Sequence, residues 1–98
     1  MTLNHNEIIL LGGGGHAKVL IDLINTSGQF EISGILDSQL QIETTVLNVP
    51  VLGDDDLLPG LYGKGIRNVC IAIGSVRDTA KRRILFDKVK QIRFFVPY

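Results

Sequence analysis

A chain of 98 residues that is 45% hydrophobic and 20% charged makes one folded domain with enough apolar surface for a core. Ten basic residues balance ten acidic ones, which argues against a dedicated nucleic-acid binder, where a basic excess is needed. A single cysteine excludes a disulfide framework or a cysteine zinc site, and no apolar run approaches the roughly 18 residues of a membrane span.

The start, MTLNHNEIILL, carries no basic region of the kind that opens a signal peptide. With the lone thiol, this reads as a cytoplasmic chain. His5 lies in this polar start and has no evident role. Glu7 to Leu11 is a short continuous apolar run, the pattern of a strand buried on both faces. Gly12, Gly13, Gly14 and Gly15 follow. Ala17, Leu20, Ile21 and Ile24 then recur at the spacing of one helix face, and Gly28 is a natural stop.

Phe30 to Leu36 reads as a second strand closed by Asp37, and residues 38–49 as an excursion or short strand. Pro50 to Gly53 looks extended. Asp54 can cap a short helix through Leu58, favoured by Asp55 and Asp56 in its first turn and disturbed by Pro59 and Gly60. Asn68 to Ile73 is the best strand pattern, and Cys70 within it is expected to be buried. Gly74-Ser75 follows. Residues 76–91 form a helix with an apolar stripe of Ala80, Ile84, Leu85 and Val89 and bases on the other side; Arg93 to Tyr98 is a last apolar run.

Strands alternating with helices imply a parallel sheet covered by helices on both faces. The expected fold is a small Rossmann-like α/β domain spanning residues 1–98. In such sheets ligands lie beyond the carboxyl ends of the strands. Three loops fall there: Gly12–His16, the segment from Asp37, and Gly74-Ser75.

Glycine costs about 0.5–1 kcal/mol relative to alanine inside regular structure, so four in a row need a reason. A strand, a glycine turn and a helix make an anion cradle, with backbone N–H groups and the helix dipole facing the ligand. Gly12-x-Gly14-x-x-Ala17 matches the dinucleotide pattern, and Asp37 stands 20 residues after Ala17, placed to bond a ribose hydroxyl or to act as an ordinary turn residue. A P-loop is rejected, because Ala17 replaces its second glycine and Val19 its magnesium-binding hydroxyl.

His16 can reach a phosphate or sugar hydroxyl, or only cap the helix. Lys18 opposes the dipole in the first turn, which fits a bound anion or a solvated side chain. Ser75 suits a helix cap as well as a ligand contact. Arg77, Lys81, Arg82 and Arg83 read as a solvated face from which Arg77 can turn to the cleft. Charge is uneven: residues 1–65 hold 8 acids and 2 bases, residues 66–98 hold 8 bases and 2 acids. The two halves attract each other, or the basic half feeds an anion site.

GGGGHAKVLIDLI, then ISGILD, VPVLGDDDLL and VCIAIGS before a basic helix, resembles the N-terminal domain of sugar O/N-acyltransferases of the PglD and NeuD type. The likeness runs from about Ile8 to Val96. That resemblance implies a Rossmann-like domain binding a nucleotide sugar, typically a UDP-sugar. A left-handed β-helix of hexapeptide repeats would follow it, binding acetyl-CoA, carrying the catalytic histidine and forming a homotrimer. By motif, Gly12 to Gly15 and His16 would lie near the phosphates or sugar, Asp37 would contact the nucleoside, and Gly74 and Ser75 would line the same cleft. The family more often has Asn where Ser75 stands.

No hexapeptide repeat follows Tyr98 in this sequence, and no position matches the family's catalytic histidine. The chain alone is expected to bind and not to acetylate, with no catalytic residue, no metal and no cofactor of its own. The alternatives are an NAD(P)-type dinucleotide module of an oxidoreductase or regulator, for which 98 residues are short, and a regulatory domain whose nucleotide site has decayed.

Overall fold

The computed structural model describes residues 6–73 and 79–97. Strand β1 is Glu7–Leu11, helix α1 Gly15–Ser27, β2 Glu31–Leu36, β3 Thr45–Val46 and β4 Val49–Gly53. A 3-10 turn, Asp55–Leu57, leads into α2, Leu58–Gly63; β5 is Asn68–Ile71 and α3 Thr79–Ile92.

The sheet order is β3-β4-β2-β1-β5. β1 runs parallel to β2 and to β5, and β2 parallel to β4. The exception to the expected parallel sheet is β3, a two-residue antiparallel edge paired to β4 through Thr45–Pro50 and Val46–Val49. Beyond β5 the last run extends the sheet: Asn68 bridges Phe95 in parallel, and the Val69 N–H donates to the Phe95 carbonyl at 2.9 Å.

Alternation along β1 divides the core. Ile8 and Leu10 face α1 and pack with Ala17, Ile21, Ile24, Ile35 and Cys70. Ile9 and Leu11 face the other way, onto Leu58, Leu61, Val69, Val89 and Phe94. A strand with helices on both faces reads as a continuous apolar run for this reason. Gly28 ends α1 in the left-handed conformation, as its position implies.

Three expectations change. The helix after Asp54 is short and irregular, as Pro59 and Gly60 imply, but it does not end at Leu58. Asp54 caps the 3-10 turn by accepting the Asp56 N–H at 3.0 Å, and α2 starts beyond it with Pro59 in its first turn, where a missing N–H breaks no helical bond. β5 stops at Ile71, two residues short of the apolar run. The predicted stripe of the last helix is only half core: Val89 is buried and Leu85 half-buried, whereas Ala80 and Ile84 are exposed. The uneven charge yields ion pairs between the halves at one point among the described residues, Lys88 to Asp55 at 3.0 Å and to Asp56 at 4.0 Å.

Candidate functional site

The carboxyl ends of β1, β2 and β5 open into a cleft of about 900 Å³. Its lining includes Gly12, Gly14, His16 and Val19 from the first loop and helix. Asp37 and Ser38 come from the end of β2, Ala72 and Ile73 from the end of β5, and Lys81, Ile84 and Leu85 from α3.

The glycines have distinct tasks. Gly12 has φ +111°, and a Cβ there would stand 3.3 Å from the Ala72 carbonyl oxygen; only glycine takes that backbone without strain. Its N–H donates to the Leu36 carbonyl at 2.8 Å, carrying the sheet bonding one residue past β1. Gly13 is buried, and a Cβ would meet Leu40 Cδ1 at 2.6 Å and Ile35 Cγ2 at 3.3 Å. Gly14 differs: it is exposed, its backbone is ordinary extended (φ −75°, ψ −164°), and a Cβ would meet nothing within 4 Å. The backbone therefore favours glycine at 12, a Cβ at 13 would displace the tip of Leu40, and neither constraint applies at Gly14.

Asp37 ties this loop to the next. One oxygen, Oδ2, accepts the Gly13 N–H at 2.8 Å; the other, Oδ1, accepts the N–H groups of Gln39 at 2.8 Å and Leu40 at 3.2 Å. Partial burial raises the Asp37 carboxyl, but these three donors and the charge of Lys81 outweigh it and hold it below the usual carboxylate value. An ionised group with two oxygens retains lone pairs for a further donor. The residue that the sequence offers as a ribose contact is thus also the clasp of the glycine loop.

His16 is exposed and lines the cleft, as Gly12, Gly14 and Asp37 do. Gly15 opens α1. That helix starts with no side-chain cap and no acid in its first turn. Gly74, Ser75 and Arg77 lie outside the described residues. The sequence reading missed Lys81, Ile84, Leu85 and Val19 as cleft residues. The signal was present, because 81, 84 and 85 fall at i, i+3 and i+4 of one helix face. Arg82, next to them, donates from Nη1 to the Ile73 carbonyl at 3.0 Å and tethers α3 to the end of β5. Among the described residues one group of acids could hold a cation, Asp54, Asp55 and Asp56; Lys88 already pairs with it. No helix among the described residues is long and apolar enough to cross a membrane.

Fold and site together define a Rossmann-like α/β domain with a glycine-loop cleft at its strand ends. Residues 7–89 match the PglD N-terminal domain family, and the chain belongs to that family. It is similar to a mutant perosamine N-acetyltransferase from Caulobacter crescentus, solved in complex with CoA and GDP-perosamine. The identity is 35% and the TM-score 0.80, over 96% of this chain and 42% of that one. It is also similar to the acetyltransferase domain of PglB from Neisseria gonorrhoeae, in complex with acetyl coenzyme A, at 28% identity and TM-score 0.75, over 93% and 42% of the two chains. The chain therefore spans less than half the length of these acetyltransferases. A likeness to UDP-D-quinovosamine 4-dehydrogenase from Vibrio fischeri, at 14% identity and TM-score 0.76 over 95% of this chain and 76% of that one, shows the shared fold alone. No curated protein sequence matches.

Proposed function

We propose that this domain binds a nucleotide sugar in the glycine-loop cleft, as the substrate-holding part of a sugar acetyltransferase. The carrying observation is Gly14, bare where no packing demands it, at the uncapped start of a helix that lines a cleft of about 900 Å³. That volume suits a ligand of nucleotide size. The N–H groups of Gly14, Gly15 and His16 are the donors for phosphate, with the His16 ring beside them for a phosphate or sugar oxygen. Asp37, an ionised acceptor, suits a ribose hydroxyl or a base N–H and repels phosphate, so it orders the ligand along the cleft. Gly74 and Ser75 belong to the same proposal on sequence grounds.

The similar Caulobacter enzyme was solved with GDP-perosamine, and the family resemblance favours UDP-sugars, so both bases belong in the test. Acetyl transfer needs an amine or hydroxyl of the sugar to attack the acetyl-CoA thioester, releasing the CoA thiol. We assign CoA binding and the base for that step to a β-helix partner domain, assembled as a homotrimer in the cytoplasm, and no catalytic residue to this chain.

Calorimetric titration with a UDP-amino sugar, a GDP-amino sugar and NAD tests the reading. Binding of a nucleotide sugar that Gly14→Val abolishes, in a variant that still melts cooperatively, is the expected result. Binding of NAD alone would overturn it in favour of a dinucleotide module.

A further inference from the structure

The glycine loop offers dipoles but no full charge, and a diphosphate brings two or more. We infer that Lys81 is the cation of the cleft, placed on α3 to contact the phosphates of a nucleoside diphosphate. The inference rests on the nucleotide-sugar reading and adds the residue that makes it selective for the diphosphate.

Lys81, Ile84 and Leu85 form one face of α3, and all three line the cleft. The neighbouring Arg82 donates to the Ile73 carbonyl at 3.0 Å, joining that helix to the chain just past β5. Lys81 is an exposed side chain on the helix face that borders the cleft.

The cleft is lined by Asp37, Asp55, Lys81 and His16 among its ionisable groups. Asp55 is matched by Lys88 at 3.0 Å. Asp37 is matched by three backbone N–H groups. Among the described residues no carboxylate lies within 4.0 Å of the Lys81 ammonium, the reach within which the ion pairs of Lys88 fall. Its field nevertheless crosses the cleft to Asp37, where it helps hold the carboxyl ionised. Among the described residues, then, the acids facing the cleft have close partners and the lysine does not.

Val19 and Ile84, exposed by 62% and 68%, are apolar side chains on the same cleft. A ligand seated between them excludes water, and an ammonium–phosphate contact strengthens as water leaves. The uncapped start of α1 adds its dipole to the same space.

The test is an NMR titration of this chain, wild type and variants, with UDP and GDP, the two monophosphates and the two nucleosides. The amide spectrum reports in the same experiment that each variant is folded. Lys81→Met is expected to weaken diphosphate binding about tenfold, the scale of one charge-assisted hydrogen bond. Monophosphate should weaken less and nucleoside by less than about twofold. The loss should shrink at high salt. Lys81→Arg should keep most of the affinity. Arg83→Met, which removes a charge from the same helix away from the cleft lining, should change little.

Diphosphate binding unchanged in Lys81→Met overturns the assignment, and so does an equal loss for diphosphate and nucleoside, which would mark a merely structural role. If Gly14→Val abolishes binding while Lys81→Met does not, the cleft reading stands and Lys81 alone fails. If wild type binds no nucleotide, the cleft reading fails and Lys81 with it.

Discussion

Gly14 gives the sharpest separation of fold from function. It occupies the N-cap of α1 in extended backbone, with no side-chain cap present and nothing within 4 Å of a Cβ. Serine in that position finds its preferred geometry and accepts a first-turn N–H, worth a few tenths of a kcal/mol over glycine. Removing a glycine also narrows the unfolded ensemble by about 0.4–1 kcal/mol. Gly14→Ser should therefore stabilise the domain by ~1 kcal/mol, which raises Tm by roughly 4–8 °C at this chain length. The same hydroxyl occupies the N–H a phosphate would use and fills the mouth of the cleft, so diphosphate affinity should fall about tenfold. Thermal melting by circular dichroism and an NMR titration of the same sample read both effects. A lower Tm would refute the assignment of Gly14 as unstrained and open. A higher Tm with unchanged affinity would refute the idea that a ligand is what keeps this position bare.

Asp37→Ala removes the acceptor of three backbone N–H groups and should cost about 2 kcal/mol in urea unfolding, more than a lost surface contact. Because the folded-state pKa lies below the ordinary value of 3.8, the unfolded chain takes up the proton first. The wild-type advantage should be full above that unfolded value and decline as pH falls through the lowered one; an advantage that grew on acidification would refute the sign. Cys70 is fully buried and its thiol is pushed up to about 11 by burial, against the opposing charge of Arg82, so a thiol reagent at mildly alkaline pH should modify it only after denaturation. Phe94, 1% exposed and edge-on to Tyr62 at 5.2 Å, should cost about 3–5 kcal/mol in urea unfolding as Phe94→Ala. Ile84→Ser, on the exposed cleft face, should stay within about 0.5 kcal/mol of wild type in the same assay.

The parts of the fold set by local chemistry are legible in the sequence. The apolar run 7–11, the stripe of Ala17, Ile21 and Ile24 and the stop at Gly28 each determine one element with little help from elsewhere, and all three stand where expected. The differences arise where an element is too short to leave a period or where its start depends on the turn before it. Pro59 looks like a helix breaker, but the 3-10 turn before it moves the start of α2 so that Pro59 falls in the first turn. The antiparallel edge β3 has two residues, too few to leave a period in the sequence, and depends on β4 for its existence. The end of β5 is equally hard to read: Ala72 still donates its N–H to the Leu11 carbonyl at 2.8 Å while lining the cleft, and Ile73 beyond it lines the cleft as an apolar residue that pattern alone assigns to the strand.

The last helix shows why the site is only half legible. An apolar residue at helical spacing is ordinarily core, and Ile84 fits the stripe of Leu85 and Val89. Yet it is 68% exposed while Val89 is fully buried. The helix contacts the sheet with its second half, where Val89, Ile92 and Leu85 pack on the core, and passes over the strand ends with its first half. One continuous pattern therefore serves two surroundings, and periodicity cannot mark where the change occurs. Charge marks it better. A lysine one turn before Ile84 on the same face would be costly inside a core without a partner, so its presence places the first half of the stripe at an aqueous or ligand-facing surface. The glycines follow the same logic from the other side: Gly12 and Gly13 have neighbours inside the fold within 3.4 Å of a Cβ, and Gly14 has none within 4 Å, so the substitution of Gly14 is where fold and ligand can be told apart.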